Sequence, residues 1–498
     1  MNVAIDYTAA APVALSESDS RAIAQELAEA TERSRVWRGG EAQLRYPGDM
    51  SWLTYVHAHY GRPLARHDLA VAVTSTQEVS AVMQIAARRG IPVTPFGGGS
   101  GVQGAANSTC GGILLDLGRL DRVRQIDRQS FTCTVEAGKI VKPFEDELNT
   151  IGLSFPHYPA SAEWASVGGS VAAKGSGVLS TKYGVMQDHV LSLEVVLANG
   201  DIVQMPSVPR HGVGPELTQL FAGSEGTLGI ITAITVKLRR LPAEKRFLAL
   251  GFDTLASGVE AGRRIMTEAA HPAVMRFYDR AAATQSLNKA VAPEISGETM
   301  IIMFDGQHAD LIDAETATAR RICEEEGGYM LDASIGPQWW ENRYTFYHPP
   351  HAPKLPQIWC TMDAVADYAH IMGVYDAVTK VVAESVDPRW GLTIKTHFSH
   401  WFDWGSMIYP RVVIPKGPDD LSQALELHDC FVRAATLATL SAGGVINDHH
   451  GVGMRLAPYL KDQFGSQGMG LMRSIKRALD PDCLLSRGKL GFTPEVLS

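Results

Sequence analysis

The sequence predicts an α+β fold in two parts, and three observations carry that reading. Short apolar runs alternate with helical periodicity from about Leu69 onward. An Asn199-Gly200 pair between two strand-like runs signals an antiparallel hairpin, which a purely doubly wound parallel sheet would not contain. After Lys237-Leu238-Arg239-Arg240-Leu241-Pro242 the composition changes, and aromatic and histidine residues become frequent up to about Ala442.

The elements follow in order. Residues 69–73 read as a strand, and Ser75-Thr76-Gln77-Glu78 matches a capping box. Val79, Val82, Ile85 and Ala86 then repeat at helical spacing up to a stop near Gly90. Residues 91–95 form a second strand and run into a glycine-rich loop over 97–104. Residues 112–117 and 131–136 are strand-like, and 141–151 are helical. Strands at 193–198 and 201–203 flank Asn199-Gly200, which suits the two positive-φ positions of a type I′ turn. Beyond Pro242 stand Trp339, Trp340, Tyr344, Phe346, Tyr347, Trp359, Trp401, Phe402 and Trp404, and a helix over 467–479 ends at Asp480-Pro481. The expected division is 1–245, 246–450 and a returning segment, 451–498.

Composition narrows the function. A chain of 498 residues with 45% hydrophobic and 20% charged residues is long enough for a sizeable core. A net charge of -9 argues against a general binder of nucleic acid or anionic membrane, so any anion must meet a local basic site. Six scattered cysteines lack CxxC spacing, and the first thirty residues lack a basic stretch followed by an apolar one. No apolar run approaches the ~20 residues that span a bilayer. The expected location is the cytoplasm.

The glycine-rich segments carry the first chemistry. Phe96-Gly97-Gly98-Gly99-Ser100-Gly101-Val102-Gln103-Gly104 is not a Walker loop, yet it lets several backbone N–H groups converge on a phosphate. Three further segments follow it: Pro159-Ala160-Ser161-Ala162-Glu163-Trp164-Ala165-Ser166-Val167-Gly168-Gly169-Ser170, then Gly175-Ser176-Gly177 with Lys182-Tyr183-Gly184, and Phe221-Ala222-Gly223-Ser224-Glu225-Gly226-Thr227-Leu228-Gly229-Ile230-Ile231-Thr232. In this order they resemble flavoproteins of the vanillyl-alcohol oxidase type, with a p-cresol methylhydroxylase-like (PCMH-type) FAD domain. The resemblance implies an FAD-binding domain under a cap domain built on an antiparallel sheet flanked by helices. It makes Gly97, Gly98, Gly99, Ser100, Gly101, Gln103 and Gly104 the pyrophosphate loop. It places Pro159, Ser161, Ser166, Gly168, Gly169, Ser176, Gly177, Tyr183, Gly184 and Ile231 along the same cofactor. Tethered relatives often carry a histidine in the loop; none stands in 96–106, so noncovalent FAD is expected.

Two histidine clusters carry the second. They are Lys395-Thr396-His397-Phe398-Ser399-His400-Trp401-Phe402-Asp403-Trp404-Gly405-Ser406-Met407-Ile408-Tyr409 and Asn447-Asp448-His449-His450-Gly451-Val452-Gly453. They are most similar to the alkyldihydroxyacetonephosphate synthase branch, with Ser399, His400, Gly405 and Tyr409 matching one motif and His449, His450, Gly451 and Gly453 the other. The chain departs from that branch at His397, where arginine is favoured, and at Asp448, which replaces a histidine. It also resembles the D-lactate and D-2-hydroxyglutarate dehydrogenase branch, but without that branch's metal-binding strand and Glu-His-Gly turn. His397, His400 and His449 remain, and no metal is expected.

The chemistry expected is hydride transfer to flavin N5 from an alcohol or 2-hydroxy acid, aryl-bearing ones included. A histidine, normally titrating near ~6.5, removes the hydroxyl proton. His449 and His450 are the candidate bases, with Tyr409 and His400 orienting the substrate. Arg276 and Lys395 would stabilise an anion, and His397, Trp401 and Trp404 would contact the substrate. The alternative is a transferase of the synthase kind, in which a flavin N5 adduct forms without net redox change. Oxygen, a quinone or an electron-transfer protein is left open as electron acceptor, and the resemblance implies a homodimer.

Overall fold

The computed structural model describes residues 15–31, 35–208, 211–268, 271–287, 295, 297–343 and 353–497. Tyr344, Phe346 and Tyr347 of the aromatic-rich stretch lie outside these residues. The fold is α+β. Its first sheet holds β1 (Arg35–Arg38), β2 (Leu69–Ala72), β3 (Val93–Phe96) and β4 (Ile113–Asp116) in the order β1-β2-β4-β3. β2, β4 and β3 are parallel, and β1 closes the edge antiparallel. The helix Thr76–Arg89 crosses over from β2, burying Val79, Val82, Met83 and Ile85 on Val71, Ile113 and Leu115. Ser75 Oγ accepts from Glu78 N, and Gly90 stops the helix at φ 63°. The Glu78 carboxylate does not complete the box on Ser75; it accepts from Thr74 N at 2.7 Å.

The second sheet is antiparallel. It holds β5 (Val123–Asp127), β6 (Thr132–Glu136), β8 (Val190–Val196), β9 (Ile202–Gln204) and β10 (Ile230–Lys237) in the order β5-β6-β10-β8-β9, while β7 (Leu153–Ser154) pairs aside with β11 (Arg239–Arg240). The β8–β9 hairpin exists, but its turn is not type I′. Gly200 takes φ 91° and Asn199 does not, Gly200 N donates to Leu197 O at 2.9 Å, and Leu197 N donates to Asp201 O. This is a type I turn closed by a left-handed glycine. The reason is tertiary: Ser80 Oγ donates to Gly200 O at 2.6 Å, and a Cβ on Gly200 would stand 2.5 Å from Gln84 Cγ, so the turn is docked on the helix Thr76–Arg89.

The third sheet has eight strands. They are β12 (Glu244–Phe252), β13 (Val274–Tyr278), β14 (Glu298–Gly306), β15 (Tyr329–Met330), β16 (Ile358–Thr361), β17 (Ala364–Asp367), β18 (Thr393–Ser399) and β19 (Gly405–Ile414). Their order is β15-β12-β14-β13-β18-β19-β16, with β17 also pairing β19. One face buries Phe252, Phe277, Phe304, Phe398 and Ile408 among residues of the helices Leu255–Glu268, Ala309–Glu325, Ile371–Ser385 and Leu421–Ser441. By the two-residue period of a strand the opposite face carries Arg276, Tyr278, His397 and Tyr409, and His397 stands directly across from Tyr409. 

The helix Leu460–Leu479 starts earlier than expected and is kinked at Gly465. The fully buried Lys476 donates to Thr227 O at 2.7 Å and Leu485 O at 3.0 Å, and it pairs with the Asp480 carboxylate. Among the described residues no helix is long and apolar enough to cross a membrane. The six cysteines are free thiols.

Candidate active site

A cavity of about 600 Å³ opens between the loop after β3, the segment 157–176, the turn before β10 and the polar face of the third sheet. The loop and the segment meet backbone to backbone. A Cβ on Gly98 would lie 1.6 Å from Trp164 O, so glycine is required there, and one on Gly97 would push against Ser166 Oγ at 2.3 Å. Gln103 is buried in the cavity wall, and among the described residues neither its amide atoms nor Ser176 Oγ find a hydrogen-bond partner. A ligand with polar edges and a phosphate chain, lying flat against glycine backbone, answers both features.

Of the residues expected along a cofactor, Gly97, Gly98, Gly99, Ser100, Gly101 and Gln103 line this cavity, as do Pro159, Ser161, Ser166, Gly168, Gly169, Ser176 and Ile231. Four do not. Gly104, at φ 82°, packs under Met454, and Gly177 packs on the Tyr158 backbone. Tyr183 Oη donates to Asp305 Oδ1 at 2.7 Å, beside the Lys182–Asp305 ion pair. Gly184, at φ 88°, ends a helical turn against Asp188. These four support the wall from behind.

The expected catalytic and substrate residues divide in the same way. Tyr409, His449 and His450 line the cavity. His397 stacks on Tyr409, with ring centroids 4.7 Å apart, and has a buried Nε2 without a partner among the described residues. His400 stands behind His449, ring centroids 4.8 Å apart, at the strained φ of 51°. Arg276 packs over Trp339, 5.9 Å from the ring centroid, and Lys395 sits opposite Arg411 in the β18–β19 register. Trp401 is fully buried in the core on the helical side of the sheet, where a Cβ on Gly262 would meet its ring at 2.4 Å. Trp404 is 52% exposed and stacked on Phe402 in the β18–β19 turn. Neither tryptophan is a wall of this cavity: the left-handed backbone at His400, just past the end of β18, turns one to the core, and the β18–β19 turn carries the other outward.

Two buried carboxylates organise the imidazoles. Asp448 Oδ2 accepts from His400 Nδ1 at 2.6 Å and from His449 Nδ1 at 2.9 Å. Asp363 Oδ1 accepts from His450 Nδ1 at 2.9 Å, and its Oδ2 accepts the backbone N–H groups of Asp448, His449 and His450 at 3.2, 2.7 and 3.0 Å. His450 Nε2 then lies 3.3 Å from Tyr409 Oη. Burial would raise the Asp363 carboxyl, but electrostatic attraction to the His450 and His449 imidazoles and their hydrogen bonds prevail and hold it at about 2. Burial would also raise Asp448, yet His400 and His449 bring it well below the usual carboxylate range. Burial lowers His400 against the pull of Asp448. It drives His397 well below the ordinary histidine value, with Arg276 adding to the effect.

Sequence reasoning missed five residues. Asp363 lies in no motif, and Asp448 was noted only as a departure. His157, two residues ahead of Pro159, lines the cavity with both ring nitrogens buried and unpartnered among the described residues, and burial holds it well below the usual histidine value. Glu225, at φ 50° in the third glycine segment, accepts from Val452 N at 2.6 Å and Gly453 N at 2.8 Å. Burial pushes it up to about 7 against those hydrogen bonds. Arg411 reaches the cavity two residues beyond Tyr409, its Nε buried without an acceptor among the described residues and its guanidinium 5.8 Å from the Trp359 ring centroid. Two trios, Asp363-His449-His450 and His400-Asp448-His449, bring metal-ligating atoms within 4.8 Å of one another. In both, the carboxylate already accepts imidazole N–H groups.

Fold and cavity together define a flavoprotein. Residues 67–206 match the FAD binding domain, and residues 241–490 match the C-terminal domain of FAD linked oxidases. The chain belongs to the FAD-linked oxidase family, an enzyme family, with FAD as its cofactor. It is 27% identical over 432 residues to the glycolate oxidase subunit GlcD of Bacillus subtilis (strain 168), covering 85% of this chain and 88% of that one. It is 26% identical over 460 residues to the alkyldihydroxyacetonephosphate synthase of Trypanosoma brucei brucei, covering 86% and 73%. The solved structure of 4-ethylphenol oxidase from Gulosibacter chungangensis shares the fold, with a TM-score of 0.77 at 18% identity over 98% of this chain and all of that one.

Proposed function

We propose that this flavoenzyme oxidises the hydroxyl-bearing carbon of a small anionic substrate, a 2-hydroxy acid in the first instance, to a carbonyl. One observation carries the reading: at the cavity wall facing the glycine loops, His450 Nε2 and Tyr409 Oη lie 3.3 Å apart, and Arg411 stands two residues along the same strand face without a carboxylate partner among the described residues. Bound FAD supplies the acceptor for the hydride that leaves the carbon. His450 takes the hydroxyl proton, Tyr409 orients the hydroxyl oxygen, and the Arg411 guanidinium grips the carboxylate as a two-pronged fork. Arg276, near His397 and His400, adds positive charge behind them. Gly97 to Gly101 with Gln103 and Ser176 hold the FAD noncovalently. Residues 1–245 form the cofactor-binding part, 246–450 cover the substrate, and 451–498 return to the first part. The likeness to a glycolate oxidase subunit supports a hydroxy-acid substrate.

The likeness to alkyldihydroxyacetonephosphate synthase favours a second reading, transfer without net redox change. Anaerobic mixing of the desalted holoenzyme with 2-hydroxy acids, benzylic alcohols and acyl-dihydroxyacetone phosphate separates the two. Bleaching of the flavin band by a hydroxy acid, with the 2-oxo acid as product, is the expected result. A band that responds only to the acylated phosphate, with product at the substrate's redox level, establishes the transferase instead.

A further inference from the structure

We infer that Asp363 is a positioning residue that fixes the proton of neutral His450 on Nδ1, so that the bare Nε2 faces Tyr409 and the cavity. The inference rests on the reading of His450 as the base. The sheet builds the arrangement. β17 pairs β19 with Ala364 opposite Ile408, which sets Asp363 at the head of one strand beside Tyr409 on the next. A bridge between Val365 and Val445 then brings the turn 447–450 over both. His450 is thereby bracketed, with Nδ1 2.9 Å from Asp363 Oδ1 and Nε2 3.3 Å from Tyr409 Oη.

The two oxygens of Asp363 have separate work. Oδ2 gathers three backbone N–H groups, from Asp448, His449 and His450, and so shapes the turn. Oδ1 is left for the imidazole. An ionised carboxylate only accepts, so the shared hydrogen must sit on His450 Nδ1 and the lone pair on Nε2. Asp363 is buried to 1% exposure. A general base needs its lone pair within reach of the proton it removes, and the other tautomer would present an N–H there.

Asp363→Asn tests this because the amide is isosteric but has one acceptor. The three backbone donors claim its oxygen, which turns the NH₂ group toward His450 Nδ1 and forces the hydrogen onto Nε2. The measurement is ¹⁵N NMR of the FAD-loaded enzyme labelled in histidine, with His450→Ala to assign the signals, alongside the rate of flavin reduction by a hydroxy acid. The expected result is an unprotonated Nε2 in the wild type and a protonated one in the variant. Flavin reduction should slow about 10²- to 10⁴-fold with the visible FAD spectrum and FAD content unchanged. Neutral wild-type His450 carrying its hydrogen on Nε2 overturns the inference, as does a variant with unchanged tautomer and rate. The wild-type spectrum decides even if the variant does not fold. If no hydroxylated substrate reduces the flavin, the functional reading fails while the tautomer result stands by itself.

Discussion

Glu225 and Gly453, 228 residues apart, are joined by a buried hydrogen bond in which Gly453 N donates to the Glu225 carboxylate at 2.8 Å. Val452 N donates to the same carboxylate, so the turn carrying His449 and His450 is fastened to the glycine segment before β10. Glu225→Ala leaves these two buried N–H groups without an acceptor, at a cost of roughly 2–4 kcal/mol, read as a lowered urea midpoint. Displacement of the histidines by about an ångström should also slow flavin reduction on the order of 10²-fold, measured by stopped flow with FAD content held equal.

Arg411→Gln removes the proposed fork for a carboxylate. The KM for 2-hydroxy acids should rise about 10- to 100-fold with kcat nearly unchanged, since the anion is gripped equally in ground and transition states. A neutral benzylic alcohol should be oxidised as before. An unchanged KM for the acids removes Arg411 from substrate binding.

Gly98→Ala drives a methyl group into Trp164 O, to which a Cβ would stand at 1.6 Å. The loop must move away from the segment 157–176, and the cradle between them widens. The desalted variant should lose most of its visible flavin absorbance relative to its protein absorbance, while its far-UV circular dichroism is preserved.

Glu145 gives a pH dependence remote from the cofactor. Burial pushes its carboxyl up to about 7, against hydrogen bonds from Ser154 Oγ and Phe155 N. The folded value lies above the unfolded one, so the group's contribution to stability is fully present below about 4.5 and is lost as pH rises through about 7. Glu145→Gln cannot ionise. Its stability relative to the wild type should improve between pH 5 and pH 8, by on the order of 3 kcal/mol, in parallel urea titrations.

The glycine loop was legible because close backbone approach demands glycine locally, and Tyr409, His449 and His450 were legible because their motifs are contiguous. Asp363 was not. It is a lone acidic residue after Thr361-Met362, and only the β17–β19 register and the Val365–Val445 bridge bring it to His450. Arg411 was hidden for a related reason: its place beside Tyr409 depends on which face of β19 turns to the cavity. Trp401 and Trp404 show the converse, since an aromatic-rich stretch reads as a pocket until the left-handed backbone at His400 and the β18–β19 turn assign each ring. The Asn199-Gly200 turn was read for the hairpin it makes, but its type was decided by the helix on which it docks.

The contact between β3 and the segment around Leu485 also bears on how the chain folds. Val93 N donates to Leu484 O at 2.8 Å, and Ser486 N returns a bond to Val93 O at 2.9 Å. The edge strand leading into the glycine loop is therefore completed by residues lying about 390 positions further along the chain. Such a pairing closes a very long loop, and contacts of high sequence separation form late and slowly. During synthesis that edge of the cofactor cradle stays unpaired until Leu484 to Ser486 have emerged.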